Sequence, residues 1–284
     1  MLTTPFRKKG VFRHEVAGRL PVYRFDQLSN DPHLAHAVFT RLGGISRPPF
    51  ASLNLGHTVG DDPTAVQANH TRVYGALGIH GSQAVTCHMT HSADVLLVTA
   101  ANKGQVAGQG DAMVTADAGV YLSMRFADCV PILLHDPQRK AIGLAHAGWR
   151  GTVKDVAGAA VRSMVNQLGC SAQAITAVIG PSIGRCCYQV GQDVIQAMEA
   201  VFPQETAQAA VEDQDGRLFS RRNGGYAYLD LWEANRRQLE AAGVGRVIVA
   251  GLCTACHADF FFSHRAERGR TGRFGVVLGY REQA

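Results

Sequence analysis

FADCVPILLHDPQRKAIGLAHAGWRGT, residues 126–152, holds two apolar runs separated by a short polar stretch and followed by a glycine-rich turn. Runs this short, this close and this apolar predict neighbouring strands, at about 130–135 and 141–146, in a well-buried sheet. Cys129 stands just before the first run, beside Asp128 and Pro131, so it marks a strand start. His146 ends the second run, and a hairpin-like return brings the two side chains together. His91, in THSADV, precedes a further apolar run at about 93–99. A cysteine and two histidines form a zinc or copper ligand set that leaves one coordination position for chemistry.

Outward from this stretch, strands are expected at 33–42, 119–126, 174–180, 245–252 and 274–280. Asp62-Pro63 is a helix start, with an N-cap followed by proline at the first helical position. Val66, Val73 and Leu77 mark the face of that helix, which ends at Gly78. Val153, Val156, Ala160, Met164 and Leu168 recur at helical spacing and predict one helix closed by Gly169. A further helix at about 192–202 stops before Pro203. Asp230 with Glu233 reads as a capping box for a helix over 231–242. The polar segment 203–224 reads as an exposed excursion. Strand-strand neighbours are frequent, so the fold class is α+β with a mixed sheet rather than a doubly wound one.

The chain has 284 residues, of which 46% are hydrophobic and 18% charged, enough to bury a substantial core. The net charge of +5 comes mostly from arginine, and no basic run exceeds Arg7–Lys9. A polyanion-binding tail, and with it a nucleic-acid partner, is therefore not expected. Arginine richness does suit small anionic ligands, because the guanidinium fork grips phosphate. No stretch has the apolar length of a signal peptide or a membrane span, so a cytoplasmic protein without a membrane partner is expected. Seven cysteines, an odd number, argue for reduced thiols rather than a disulfide framework.

Each motif has an ordinary alternative. A cysteine in a strand usually acts as a small buried hydrophobe, but here it keeps company with His146 and HAGWRG. Gly148–Thr152 form a turn into a helix, where backbone N–H groups and Arg150 make an anion site; otherwise Trp149 packs and Arg150 is solvated. Cys253-Thr-Ala-Cys256-His257 has the haem-attachment pattern without the export that attachment needs, and is otherwise a redox dithiol or half of a zinc site. No second Cys-x-x-Cys completes that half, and the vicinal Cys186-Cys187 pair is expected to pack. His88-x-x-His91 and His33-x-x-His36 lack the glutamate of zinc proteases. Arg265 follows the aromatic run FFFSH in a basic loop with Arg268, Arg270 and Arg273, where it would close over an anionic substrate.

Taken with FTRLGGISRPPFASLNLG, GDDPTAVQANHTRV, GDAMVT, GPSIGRCCYQVG, DLWEANRRQL and CTACHADFFFSHR, the runs FADCVPILL and AHAGWRGT carry a specific resemblance over nearly the whole chain. The chain resembles the YfiH-type laccase-domain family, also labelled multicopper polyphenol oxidoreductases and purine nucleoside phosphorylases. The resemblance implies a single domain over 1–284, built as a four-layer sandwich with a large mixed β-sheet core flanked by helices. It implies a metal site at His91, Cys129 and His146, with zinc as the ion and copper as the alternative. It implies phosphorolysis of adenosine, inosine and methylthioadenosine, together with adenosine deaminase activity, so that purine nucleosides and phosphate are the partners. Met89–Ser92 departs from the Gln-Val-His-Gly run common in the family, and Tyr188-Gln189-Val190 replaces a carboxylate with an amide.

On this reading Arg41, Arg150 and Arg265 are candidates for contact with the anion, and Asp128 for orienting a metal-bound histidine. Two other chemistries compete. Copper-dependent polyphenol oxidation would need a multicopper cluster fed by His-x-His pairs, and the twelve histidines include none. A cysteine hydrolase would use Cys129 as nucleophile and His146 as base, a chemistry that fits editing of peptidoglycan precursors. Such a hydrolase would work after chelation.

Overall fold

The computed structural model describes residues 11–204, 216–222 and 226–282. The two apolar runs fold back on one another as strands Val130–Asp136 and Ala141–Ala147, antiparallel, with Pro131 opposite His146. All residues of both strands are buried. Successive side chains enter different cores. Ile132, Leu134 and Ala145 face one apolar cluster, and Leu133, Ile142 and Leu144 face another. That is the two-residue alternation of a strand covered on both faces, and it explains why the sequence shows continuous rather than alternating apolarity.

These strands are central in a six-stranded mixed sheet. Its order is Arg246–Val249, Thr176–Ile179, Val130–Asp136, Ala141–Ala147, Ala112–Thr115 and Val95–Leu97. A seven-stranded sheet lies against it, ordered Phe12–Ala17, Leu20–Phe25, Leu34–Phe39, Phe274–Tyr280, Tyr121–Phe126, Ala84–His88 and Val106–Gln109. Leu122, Phe126, Leu133, Leu144, Val178 and Val276 pack between the sheets. Helix Pro63–Ala76 covers the outer face of the larger sheet through Val73 and Tyr74, against Val22 and Phe39. Helices Val156–Leu168 and Leu231–Ala241 cover the outer face of the smaller one. The four layers match the expected α+β sandwich, with its mixed β core divided into two facing sheets.

Local chemistry sets the helix ends. Asp62 accepts a hydrogen bond from Thr64 N at 2.9 Å, and Pro63 takes the first helical position. The single helix expected from Val153 to Leu168 is two, Trp149–Val153 and Val156–Leu168. Asp155 interrupts them with φ 62°, and its carboxylate caps Gly158 N at 3.2 Å. Apolar spacing cannot reveal this break, because both pieces present their apolar residues to the same sheet. Asp230 caps helix Leu231–Ala241 through Glu233 N at 3.0 Å, but the Glu233 carboxylate turns to Arg236 and Arg237 rather than completing a capping box.

The exposed excursion expected over 203–224 lies largely outside the described residues. Its described part is not all exposed. Strand Phe219–Arg222 joins a three-stranded sheet with Tyr226–Leu229 and Gln189–Val190, and Leu218 and Phe219 are buried. Among the described residues no helix is long and apolar enough to cross a membrane.

Candidate metal and active site

Three chain segments converge where the two sheets meet. Cys129 ends the three-residue link Ala127–Cys129 between strands Tyr121–Phe126 and Val130–Asp136, which belong to different sheets. His146 lies near the end of the return strand, and His91 on the turn after strand Ala84–His88. Their ligand atoms all lie within 4.8 Å of one another. The backbone is held in unusual conformations here: His91 has φ 58° and Asp128 φ 85°. Left-handed conformations at residues other than glycine are costly, and they cluster where a site needs a side chain aimed against local preference.

Gly148 opens the short helix Trp149–Val153 beside this triangle. A Cβ at position 148 would stand 2.8 Å from Cys129 Sγ and 3.3 Å from His91 Cδ2. Glycine is thus required by space, not by dihedral angle, since its φ is −73°. Two imidazoles and a thiolate, with no side chain at Gly148 to crowd them, are a donor set that fits zinc and also admits copper.

Asp111 organises the triangle. It is fully buried at the start of strand Ala112–Thr115 and lies 2.9 Å, through Oδ1, from His146 Nδ1. Its Oδ2 accepts from Ser92 N at 2.7 Å and Thr90 N at 2.9 Å, the two residues flanking His91. One carboxylate therefore orients His146 directly and the His91 turn through its backbone. Burial alone would raise the Asp111 carboxyl, but the bonds from His146, Ser92 and Thr90 hold it well below the usual carboxylate range. An ionised Asp111 fixes the proton on Nδ1 and leaves Nε2 for the Cys129 side. Burial likewise pushes the Cys129 thiol up, yet His146 and His91 outweigh it and pull it below its ordinary value. Burial lowers His146, while Cys129 and Asp111 raise it to a larger extent.

Asp128, expected to orient a histidine, does something else. Its Oδ1 accepts from Thr254 Oγ1 at 2.6 Å and its Oδ2 from Arg265 N at 2.7 Å. It thus anchors the 254–265 segment beside Cys129, and the expected role belongs to Asp111. The sequence did contain a signal: an aspartate directly before the apolar run AMVT, where a charged residue is buried only for a reason.

The three arginines part company. Arg150 is exposed, and its guanidinium lies over the Trp149 ring at 4.2 Å. Arg265 is exposed, donates to Gln189 O at 2.6 Å and lies 5.1 Å from the Tyr188 ring centroid. The Tyr188 phenol is pushed up chiefly by burial and feels the charges of Cys129, Arg265 and Arg150, which locates all four in one neighbourhood. Arg41 has other partners. Its Nη1 donates to Ala258 O at 2.6 Å and Glu267 Oε1 at 3.0 Å, its Nε to Ala51 O at 3.0 Å, and it stacks on Phe262. These bonds tie Arg41 to the loops around Ala51, Ala258 and Glu267.

A cavity of about 1290 Å³ lies next to the site, lined by His57, His70, Cys87, Met89, Arg125 and Arg273 among others. None of His91, Cys129 and His146 lines it. Arg273 connects the two regions, since it also feels the charges of Cys129 and Asp128.

Comparison with known proteins agrees with this architecture. Residues 35–281 match the family model described as multi-copper polyphenol oxidoreductase laccase. The purine nucleoside phosphorylase YlmD of Geobacillus stearothermophilus is 41% identical over 253 residues, covering 86% of this chain and 89% of the relative. A purine nucleoside phosphorylase of Deinococcus radiodurans is 40% identical over 252 residues, covering 87% and 90%. The crystal structure of Geobacillus stearothermophilus YlmD superposes with a TM-score of 0.85 at 36% identity, covering 96% of this chain and all of that one. The YfiH protein of Bacillus licheniformis follows with a TM-score of 0.83 at 32% identity, covering 95% and 99%. With its sandwich, its His-Cys-His triangle and these relatives, the chain belongs to the multi-copper polyphenol oxidoreductase laccase (YfiH-like) family.

Proposed function

We propose that the protein is a zinc-dependent purine nucleoside phosphorylase acting on adenosine, inosine and methylthioadenosine, with adenosine deaminase activity at the same site. The carrying observation is the convergence of His91, Cys129 and His146 beside the exposed Arg150 and Arg265 in a chain whose relatives bear the phosphorylase name. His91, Cys129 and His146 would hold the zinc, which would supply a Lewis acid to the site.

The chain's own groups do the remaining work. Arg150 and Arg265 bind inorganic phosphate and turn one oxygen toward the anomeric carbon of the ribose. Phosphorolysis breaks the glycosidic bond as that oxygen forms its own bond to the same carbon, and negative charge moves to the departing base. The two guanidinium groups neutralise and position the phosphate opposite the departing base, and positioning with electrostatic contact is the contribution this chain makes to the step. Tyr188, kept protonated by burial, is a hydrogen-bond donor within the same neighbourhood. Asp111 holds His146 and the His91 turn in place throughout.

The test is direct. Zinc-loaded protein is incubated with inosine and with adenosine, with and without phosphate, and free base and deaminated nucleoside are quantified. Cys129→Ala and chelated protein run alongside. Phosphate-dependent base release that disappears in both controls supports the proposal, and absence of turnover under every condition overturns it.

One observation favours a second reading. Cys129, His146 and Asp111 stand in the order of a nucleophile, its base and the carboxylate that orients the base. A cysteine hydrolase would use that arrangement without metal, so activity that survives chelation selects it. His91 has no task in that mechanism.

A further inference from the structure

A second set of soft donors comes together outside this site. The vicinal pair Cys186-Cys187 and the Cys253-x-x-Cys256 pair are about 66 residues apart in sequence, yet their four sulfurs all lie within 4.8 Å of one another. Cys256 Sγ is 3.4 Å from both Cys186 Sγ and Cys187 Sγ. Gly184 N donates to Cys253 Sγ at 3.2 Å. The half-site expected from Cys253 and Cys256 alone is completed by the pair that was expected only to pack.

We propose that Cys186, Cys187, Cys253 and Cys256 bind a single thiophilic cation, zinc in the first instance, as a structural centre distinct from the His-Cys-His triangle. Tetrahedral zinc–thiolate bonds of about 2.3 Å place sulfurs about 3.8 Å apart, inside the range these four span. A multi-iron cluster spreads its thiolates wider than one ion does. A disulfide would need two sulfurs at about 2.05 Å and would use only half of the set. Here Cys256 stands equally far from two candidates, the pattern of a shared centre rather than of a chosen pair. Four closed positions of one donor type leave no place for substrate, which makes the centre structural. Binding displaces the thiol protons to solvent and involves no electron transfer.

Two loops are prepared for such a clamp. Ser182 and Cys253 form a β-bridge, with Ser182 N donating to Leu252 O at 3.1 Å and Thr254 N to Ser182 O at 3.0 Å. A Cβ at Gly184 would stand 2.7 Å from the Trp232 ring and 3.3 Å from Cys186 Sγ, so the turn carrying the vicinal pair needs its glycine. Both loops also reach the first site. Ile183 N donates to Asp128 O at 3.0 Å, Thr254 Oγ1 bonds the Asp128 carboxylate, and Gln189 O holds Arg265. A cation at the four sulfurs therefore fixes the wall on which Asp128, Tyr188 and Arg265 stand. The inference does not depend on which reaction the first site performs.

The test begins with the unaltered chain, purified without oxygen and stripped of metal. Zinc is added, the thiols are alkylated, and each cysteine peptide is quantified by mass spectrometry. At least tenfold protection of Cys186, Cys187, Cys253 and Cys256 together, reversed by a strong chelator, is the expected result. Equal alkylation with and without zinc, or a disulfide among the four, overturns the proposal. In parallel, Cys129→Ala protein should retain about one zinc per chain, with a shell of four sulfurs by X-ray absorption. The added changes Cys186→Ser and Cys256→Ser should abolish that retention. A nitrogen-containing shell in Cys129→Ala, or retention after the serine changes, overturns it as well.

Discussion

His146 Nδ1 and Asp111 Oδ1 stand 2.9 Å apart, and the same carboxylate receives the backbone N–H groups on either side of His91. One buried aspartate thus aligns two of the three donors. Asp111→Asn keeps the shape but removes the charge that fixes the histidine tautomer. Metal affinity should fall about 10- to 100-fold, measured by competition with a chromophoric chelator. Unchanged affinity would show that His146 is oriented by packing alone.

Gly148 tests the triangle by volume. Gly148→Ala places a methyl group 2.8 Å from Cys129 Sγ while leaving the dihedral angles acceptable. Overpacking of this kind costs about 1–3 kcal/mol, so the variant should fold with a lowered melting temperature. The expected result is loss of metal from the His-Cys-His site, read by elemental analysis. A fully metallated variant would mean that the helix start can retreat.

Arg265 and Arg41 should fail in different ways. A charge-assisted contact is worth about 1.5–3 kcal/mol, so Arg265→Ala should raise KM for phosphate about 10- to 100-fold with little change in melting temperature. Arg41→Ala removes the arginine donor from Ala51 O, Ala258 O and Glu267 Oε1 and should lower the melting temperature instead. Initial-rate kinetics at varied phosphate and thermal unfolding separate the two. A phosphate effect at Arg41 with no loss of stability would reverse the assignment made for it.

Two buried histidines make stability depend on pH. Burial holds His36 down to about 3 and His70 down to about 4, against 6.5 for the ordinary side chain. Both stay neutral in the folded chain while the unfolded chain takes up their protons below about pH 6.5. The folded state is therefore favoured above that pH and loses stability as pH falls. Each histidine adds a slope of about 1.4 kcal/mol per pH unit, down to about pH 4 for His70 and pH 3 for His36. Urea unfolding between pH 7 and 4.5 should show the decline, and His36→Phe should flatten it even if it lowers stability throughout. A slope that His36→Phe leaves unchanged would assign the decline to other groups.

What was legible in the sequence is what local chemistry decides. The Asp62-Pro63 cap, the apolar runs around residues 130 and 145, and the aspartate cap at Asp230 follow from neighbours a few residues away. Cys129 and His146 were likewise readable as neighbours, because a short hairpin joins their strands. Where sequence reading erred, either a single backbone dihedral or a distant partner intervened. Asp155 breaks a helix whose apolar spacing is continuous, and the segment near Phe219 is buried by strands Gln189–Val190 and Tyr226–Leu229 rather than left in solvent.

The chain's own order of residues determined the donors, the strands beside them and the starts of helices Pro63–Ala76 and Leu231–Ala241, since these depend on contacts within one or two turns or one hairpin. Tertiary structure alone decided that Asp111 rather than Asp128 aligns His146, that Arg41 is committed to Glu267 while Arg265 stays exposed, and that four cysteines meet. A carboxylate, a guanidinium and a thiol each have many chemically adequate partners. Which partner is met depends on loops brought together by the packing of two sheets, and no spacing along the chain records that meeting.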